Sequence, residues 1–307
     1  MMSEVLAALL RANLVLAIGV LAVLALRLPA RRAFGPEVAY GLWAAPPLAA
    51  LASLLPARVE DGAPEVHALA AAVADWSAPA LMAWGLGGLL VLAGMARAQA
   101  RFMDEVRRGR GGPSVVGVIA PRLVMPADDG TYTAEERALI RAHEREHVAR
   151  CDPRASAASA ALQALCWFNP LVHLAAHLMR LDQELACDAA VLRRRPEDRA
   201  LYARTLLKTQ LAAQPLPFGC YWPATGLHPL EVRVGQLRVT RRHDALIGAA
   251  LVGLAVLSAV IAAWRLQPPA PRPGELVELW ERHQRQPVTS VILVSLPPKP
   301  PAAAPGS

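Results

Sequence analysis

Residues 245–264 run Ala-Leu-Ile-Gly-Ala-Ala-Leu-Val-Gly-Leu-Ala-Val-Leu-Ser-Ala-Val-Ile-Ala-Ala-Trp without one ionisable group, and Arg241, Arg242 and Arg265 flank them. About 20 apolar residues in a helix cross a hydrocarbon core, and in lipid a helix satisfies its own backbone polar groups. This stretch is therefore read as a membrane-spanning helix. Three earlier stretches, 5–26, 38–55 and 78–96, have comparable length and apolar character. Arg11 interrupts the first, where its aliphatic stem can snorkel to the interface. Pro46 and Pro47 in the second predict a kink. The first stretch is expected to be a span rather than a cleaved signal peptide. Met1-Met2-Ser3-Glu4 lacks a basic n-region, and Arg27, Arg31 and Arg32 follow the apolar run where a cleavage site would stand.

Lys and Arg near the spans set the expected orientation, because cytoplasmic loops are enriched in them. The first loop carries Arg27, Arg31 and Arg32; the second sets Arg58 against Glu60, Asp61, Glu65 and Asp75. The N-terminus is thus expected outside and the third loop, 97–244, in the cytoplasm. Arg97, Arg101, Arg107, Arg108 and Arg110 at its membrane-proximal start agree. The tail, 265–307, would then emerge on the extracytoplasmic side. Cys151, Cys166, Cys187 and Cys220 all fall in the third loop, where a reducing cytosol keeps them as thiols. They contain no C-x-x-C pair, so a cysteine zinc ribbon is not expected. The Gly- and Arg-rich stretch 107–113 reads as a solvated positive flank rather than a nucleic-acid contact.

The third loop is the size of one compact domain. Residues 114–126, β-branched and punctuated by Gly117, Pro121 and Pro126, predict a short strand or hairpin. Thr133 and Glu136 have capping-box spacing, so a helix is expected from Ala134 to an end near Pro153. A second helix is expected over about 154–167, lying against or dipping into the membrane. Asn169 and Pro170 supply the cap and first position of a third, reaching about Arg194, and a fourth covers Glu197 to Leu211. Beyond the last span, Pro268 to Pro273 and Pro297 to Pro305 read as extended linkers.

His143-Glu144-Arg145-Glu146-His147 lies on the first of these helices. Positions i and i+4 share a face, so both imidazoles can reach one zinc ion (Zn2+) from adjacent turns. Glu144 stands beside them as the general base of H-E-x-x-H enzymes. A catalytic zinc takes three protein ligands and keeps one position open. Glu184, on the third helix, is the candidate third ligand, with Asp188 four residues on as an acceptor that orients a histidine N–H. Taken alone, Glu184 and Asp188 also fit an ordinary charged face helped by Arg180; the H-E-x-x-H in the same loop favours ligation. Cys187 reads as a packed thiol, His173 and His177 as core or interface histidines, and Arg150 with Asp152 as an ion pair or helix cap.

These residues resemble the BlaR/MecR-type integral-membrane metallopeptidases, the antirepressor family associated with beta-lactam resistance. The resemblance is carried by Gly117-Val-Ile-Ala-Pro-Arg-Leu-Val-Met-Pro126, by His143 to His147 with Arg150 and Asp152, by Trp167-Phe-Asn-Pro-Leu171 and by Glu184-Leu-Ala-Cys-Asp188. It implies His143, His147 and Glu184 as zinc ligands and Glu144 as base. His228-Pro229 with Arg233 and Leu237 is similar to elements of the wider CAAX-protease-like gluzincins, which offers His228 as an aid to transition-state binding. In that family the peptidase cuts itself or a cytosolic transcriptional repressor after an extracellular domain senses a beta-lactam. The 43 residues after Trp264 are Pro rich and lack the S-x-x-K motif of a penicillin-binding sensor, so direct beta-lactam sensing is not expected.

The expectation is therefore a mainly α, polytopic membrane protein. It has about four transmembrane helices, three within 1–96 (5–26, 38–55, 78–96) and a fourth at 245–264. A cytosolic gluzincin-like zinc metallopeptidase domain with a small β element occupies 97–244, and a Pro-rich extracytoplasmic tail 265–307. The resemblance places it in a bacterial inner (plasma) membrane. Its expected partners are the lipid bilayer and a protein substrate, which is the chain itself or a helix-turn-helix repressor; a homodimer is compatible, and direct nucleic-acid binding is not expected. The alternatives are a signalling scaffold that does not cleave and a housekeeping protease of membrane-protein quality control.

Overall fold

The computed structural model describes residues 2–58, 73–109, 111–125, 129–211, 229–237 and 245–267. The architecture is mainly α. Helix α1 (Met2–Phe34) is followed by α2 (Pro36–Gly41), a 3-10 turn (Leu42–Ala44), α3 (Ala45–Ala52) and α4 (Ser77–Arg107). Strands β1 (Ser114–Val116) and β2 (Arg122–Val124) pair antiparallel, with Val115 opposite Leu123. Then come α5 (Ala134–Ala149), α6 (Asp152–Leu165), α7 (Pro170–Arg194), α8 (Arg199–Leu211), α9 (Pro229–Gln236) and α10 (Ala245–Arg265).

Among the described residues three helices are long and apolar enough to cross a membrane: α1, α4 and residues 246–265 of α10. The expected second span, 38–55, is not one continuous helix. It is broken into α2, the 3-10 turn and α3, because Pro46 and Pro47 lack an N–H and stand in the first turn of α3, where no intrahelical bond is needed. The broken segment packs between α1 and α10. Gly19 permits the contact with α1, since a Cβ there would lie 3.0 Å from the Pro46 Cα. At 33 residues α1 is also longer than the lipid requires. About 1.5 Å per residue makes it roughly 50 Å long against a core of about 30 Å. It is thus long enough to extend beyond the hydrocarbon.

Helices α6 and α7 form a hairpin whose tip reaches well into the span bundle. Asn169 caps α7, accepting from the Leu171 N–H at 3.0 Å, while its own amide donates to Asn13 of α1 at 3.0 Å. Cys166 and Val172 pack with Leu16 and Ala50. Trp84 of α4 donates its indole N–H to the Leu165 carbonyl, and Trp167 returns one to the Trp84 carbonyl at 3.1 Å. The tip thus sits midway along α1. About a dozen residues later, α7 meets the far end of α1 at a buried clamp. Asp182, 0% exposed, accepts from Arg27 Nε and Nη2 at 2.9 Å each and from the Trp43 indole at 2.8 Å.

Past that clamp, α7 enters a second core made by Leu139, Val191, Leu192, Tyr202, Leu206 and Leu237. Helix α5 starts as its sequence dictates. Thr133 Oγ1 accepts from the Glu136 N–H at 3.2 Å, and Glu136 Oε2 from the Thr133 N–H at 2.9 Å. The hairpin β1–β2 lies against α5.

Candidate metal centre

Helices α5 and α7 cross so that one turn of each faces the other. His143 Nε2 and His147 Nε2 lie 3.1 Å apart. Glu184 of α7 brings Oε2 to 3.3 Å from the first and Oε1 to 3.5 Å from the second. Four ligands at roughly 2.05 Å from a tetrahedral cation stand about 3.3 Å from one another, so the spacing of the three donors matches a tetrahedral face. Without a cation or a proton between them, two imidazole lone pairs at such a distance would repel. The donor set, two nitrogens and one carboxylate, is the composition of a catalytic rather than a structural zinc site. The Glu184 side chain remains 27% exposed, so the centre is not sealed.

Each imidazole is turned by a partner on its other nitrogen. His147 Nδ1 donates to Asp152 Oδ2 at 2.8 Å, and His143 Nδ1 to the Tyr202 hydroxyl at 2.8 Å. That hydroxyl in turn donates to Asp188 Oδ1 at 2.7 Å. With both Nδ1 atoms protonated by these bonds, both Nε2 lone pairs face the centre. Asp188 therefore serves His143 chiefly through Tyr202, its own oxygen lying 3.4 Å from Nδ1. Asp152 does more than cap a helix or pair with Arg150, whose Nε is 3.8 Å away. Cys151 takes a left-handed backbone (φ 58°) just before it, and that turn brings Asp152 back under His147.

Arg233 of α9 joins the two carboxylates of α7. Its Nη1 lies 2.9 Å from Glu184 Oε2, and its Nε and Nη2 donate to Asp188 at 2.9 and 2.8 Å. Burial alone would raise the Glu184 carboxyl, but Arg233, then His147 and His143, hold it well below the usual carboxylate range. Burial raises Glu144, partly opposed by His143 and His147. Burial would lower His147, but Glu184 and Asp152 raise it well above the ordinary imidazole value, which marks the position as one that favours positive charge. Burial also raises the Tyr202 phenol far above its usual range, so it stays a neutral donor.

A second cluster, His147, Asp152 and Cys187, has the residue types of a metal site. Its nitrogen is already committed to Asp152, and burial pushes the Cys187 thiol up to about 11. The Cys187 sulfur, 3.3 Å from His147 Nδ1 and 3.4 Å from Asp152 Oδ2, is better described as a packed, protonated thiol. His173 donates to the Trp167 carbonyl at 2.9 Å. Neither His173 nor His177 belongs to a metal-capable group among the described residues. His228 lies outside the described residues. The structure thus brings His143, Glu144, His147, Glu184 and Asp188 together. It adds Asp152, Tyr202 and Arg233, whose roles depend on contacts made across the fold.

The profile of the family described as BlaR1 peptidase M56 matches residues 7–85 and 105–237. Those ranges include the N-terminal helices and all of the centre. Regulatory protein BlaR1 of Bacillus licheniformis is 31% identical over 109 residues, which is 34% of this chain and 18% of that protein. The similarity therefore spans less than a fifth of the relative's length. No solved structure matches the chain.

Proposed function

The chain belongs to the BlaR1 peptidase M56 family, and from that premise we propose that it is a membrane-embedded zinc endopeptidase that cuts itself or a cytosolic repressor. The observation that carries the reading is the meeting of His143 Nε2, His147 Nε2 and Glu184 at 3.1 to 3.5 Å, with the buried Glu144 beside them. His143, His147 and Glu184 would hold the metal. Zinc supplies a Lewis acid for the scissile carbonyl and lowers the pKa of water to about 7.

The remaining work falls to the chain's own groups. Asp152 and Tyr202 keep both Nε2 atoms aimed inward by accepting the Nδ1 protons. Arg233 keeps Glu184 ionised and in place. Glu144 accepts the proton of the attacking water and passes it to the leaving amine. Burial raises its carboxyl, the direction that favours taking up a proton. The products are a new carboxylate and a new amine, and Glu144 ends as it began.

The membrane orientation belongs to the same proposal. The Arg27 end of α1 meets the peptidase helix α7 at Asp182. Pro56 and Ala52, at the opposite end of the broken segment, accept from Trp264 at the end of α10 and Gln267 just beyond it. This arrangement supports a cytosolic peptidase domain on the side of Arg27 and the C-terminal end of α10 outside. A membrane-proximal cytosolic substrate suits a centre held this close to the spans, and the relative's description as a regulatory protein fits a signalling role. The test is co-expression of the wild type and Glu144→Gln with candidate repressors, followed by mass spectrometry of both proteins. A specific fragment is expected with the wild type alone while the variant retains zinc; unchanged cleavage by Glu144→Gln overturns the reading.

A further inference from the structure

The apolar N-terminal segment reaches the candidate metal centre through Asp152. Tyr40 of α2 donates its hydroxyl to Asp152 Oδ1 at 2.8 Å, while the other oxygen of that carboxylate accepts from His147 at 2.8 Å. Asp152 is 2% exposed, so little water competes for either oxygen. Gln183 of α7 donates to the Tyr40 hydroxyl at 3.3 Å and to the Asp152 carbonyl at 3.4 Å. The Arg150 guanidinium covers the Tyr40 ring 4.7 Å from its centre. Tyr40 is therefore held on several sides with its hydroxyl aimed at one atom.

Three consecutive residues of α7 divide the contacts. Asp182 grips Arg27 and Trp43, Gln183 grips Tyr40, and Glu184 faces the two imidazoles. Trp43 lies three residues after Tyr40, so one short segment is anchored to α7 at Asp182 while its tyrosine reaches the His147 side of the centre through Asp152. A carboxylate that accepts a ligand's N–H sets the ring orientation and basicity of that ligand. Whatever fixes that carboxylate acts on the metal at one remove.

We propose that Tyr40 is a positioning residue of the metal centre: through Asp152 it fixes the ring of His147, so that segment 36–44 is a structural part of the site. A displacement of the segment against α7 is then felt as a change in how tightly the centre holds its metal. The proposal rests on the assignment of His143, His147 and Glu184 as the ligands.

The test measures the rate at which zinc leaves the full-length protein, held in lipid nanodiscs, for a chromogenic chelator. The wild type, Tyr40→Phe, Asp152→Ala and the double variant are compared, with His147→Ala as reference. Asp152→Ala is expected to speed zinc loss about 10-fold, the lower end of the range for the outer partner of a metal ligand, and Tyr40→Phe, one contact further out, about 5-fold. The same change in the Asp152→Ala background should add less than about 2-fold, because coupled residues do not act additively. Tyr40→Phe that releases zinc at the wild-type rate, or by an equal factor in both backgrounds, overturns the proposal and leaves the centre standing. General loosening of the fold would produce that equal factor. A His147→Ala protein that holds zinc as the wild type does overturns the ligand assignment, and this inference with it.

Discussion

Removal of Arg233 probes the charge balance of the centre. Its side chain is 7% exposed and makes three contacts of 2.8 to 2.9 Å with Glu184 and Asp188. Arg233→Met would leave Asp188, 2% exposed, without its cation and Glu184 beside it. Breaking a buried ion pair on one side costs about 3–5 kcal/mol. For a folded unit of this size each kcal/mol shifts the midpoint by roughly 2–4 °C, so a fall of roughly 6–20 °C is expected. The assay is thermal unfolding of purified protein in detergent with a chelator present, which removes the linkage between metal binding and stability. The pH dependence has a definite sign. The folded pKa of Glu184 is held below its ordinary 4.5, so its contribution is complete above that value and lost as pH falls through the depressed one. The margin of the wild type over Arg233→Met should be full at pH 7 and narrow below pH 4.5. A loss under about 1 kcal/mol, the scale of an exposed pair, or a margin independent of pH, would refute the reasoning.

Thr133→Ala removes the hydroxyl that caps α5 and should lower stability by about 1 kcal/mol without changing zinc content, as read by unfolding and elemental analysis together. Gly87→Ala sets a Cβ within 2.1 Å of the Trp167 ring, which must then move from its bond to the Trp84 carbonyl. A cost of about 1–3 kcal/mol is expected, with a shift in tryptophan emission as the α6–α7 tip loosens.

Local signals in the sequence reported themselves faithfully. Thr133 and Glu136 cap α5, Asn169 and Pro170 start α7, and the punctuated stretch after Ser114 forms a hairpin. The His143–His147 and Glu184–Asp188 spacings put each pair on one helical face, because side chains four apart on a helix are neighbours. What stayed hidden depended on distance along the chain. Arg27 reads as one more positive flank, yet it is buried and its partner Asp182 lies 155 residues away. The cost of burying a charge without a partner becomes a clue only once the burial is known. Asp152 looked like a helix cap because the left-handed turn at Cys151 cannot be read from the residue types alone. Tyr202 and Tyr40 belong to helices remote from the motif in sequence, so no spacing pointed to them, while Arg233 was marked only by the resemblance of its segment to gluzincin elements and not by its pairing with Glu184 and Asp188. Pro46 and Pro47 announced a disturbed second span, but not that it would break into two helices.

X-ray absorption at the zinc edge of the purified full-length protein tests the central claim most directly. Two imidazole nitrogens at about 2.0–2.1 Å and carboxylate oxygen at about 2.0–2.2 Å are predicted, at one zinc per chain. A sulfur scatterer near 2.3 Å, which would place the metal at Cys187, or protein free of zinc, would contradict it.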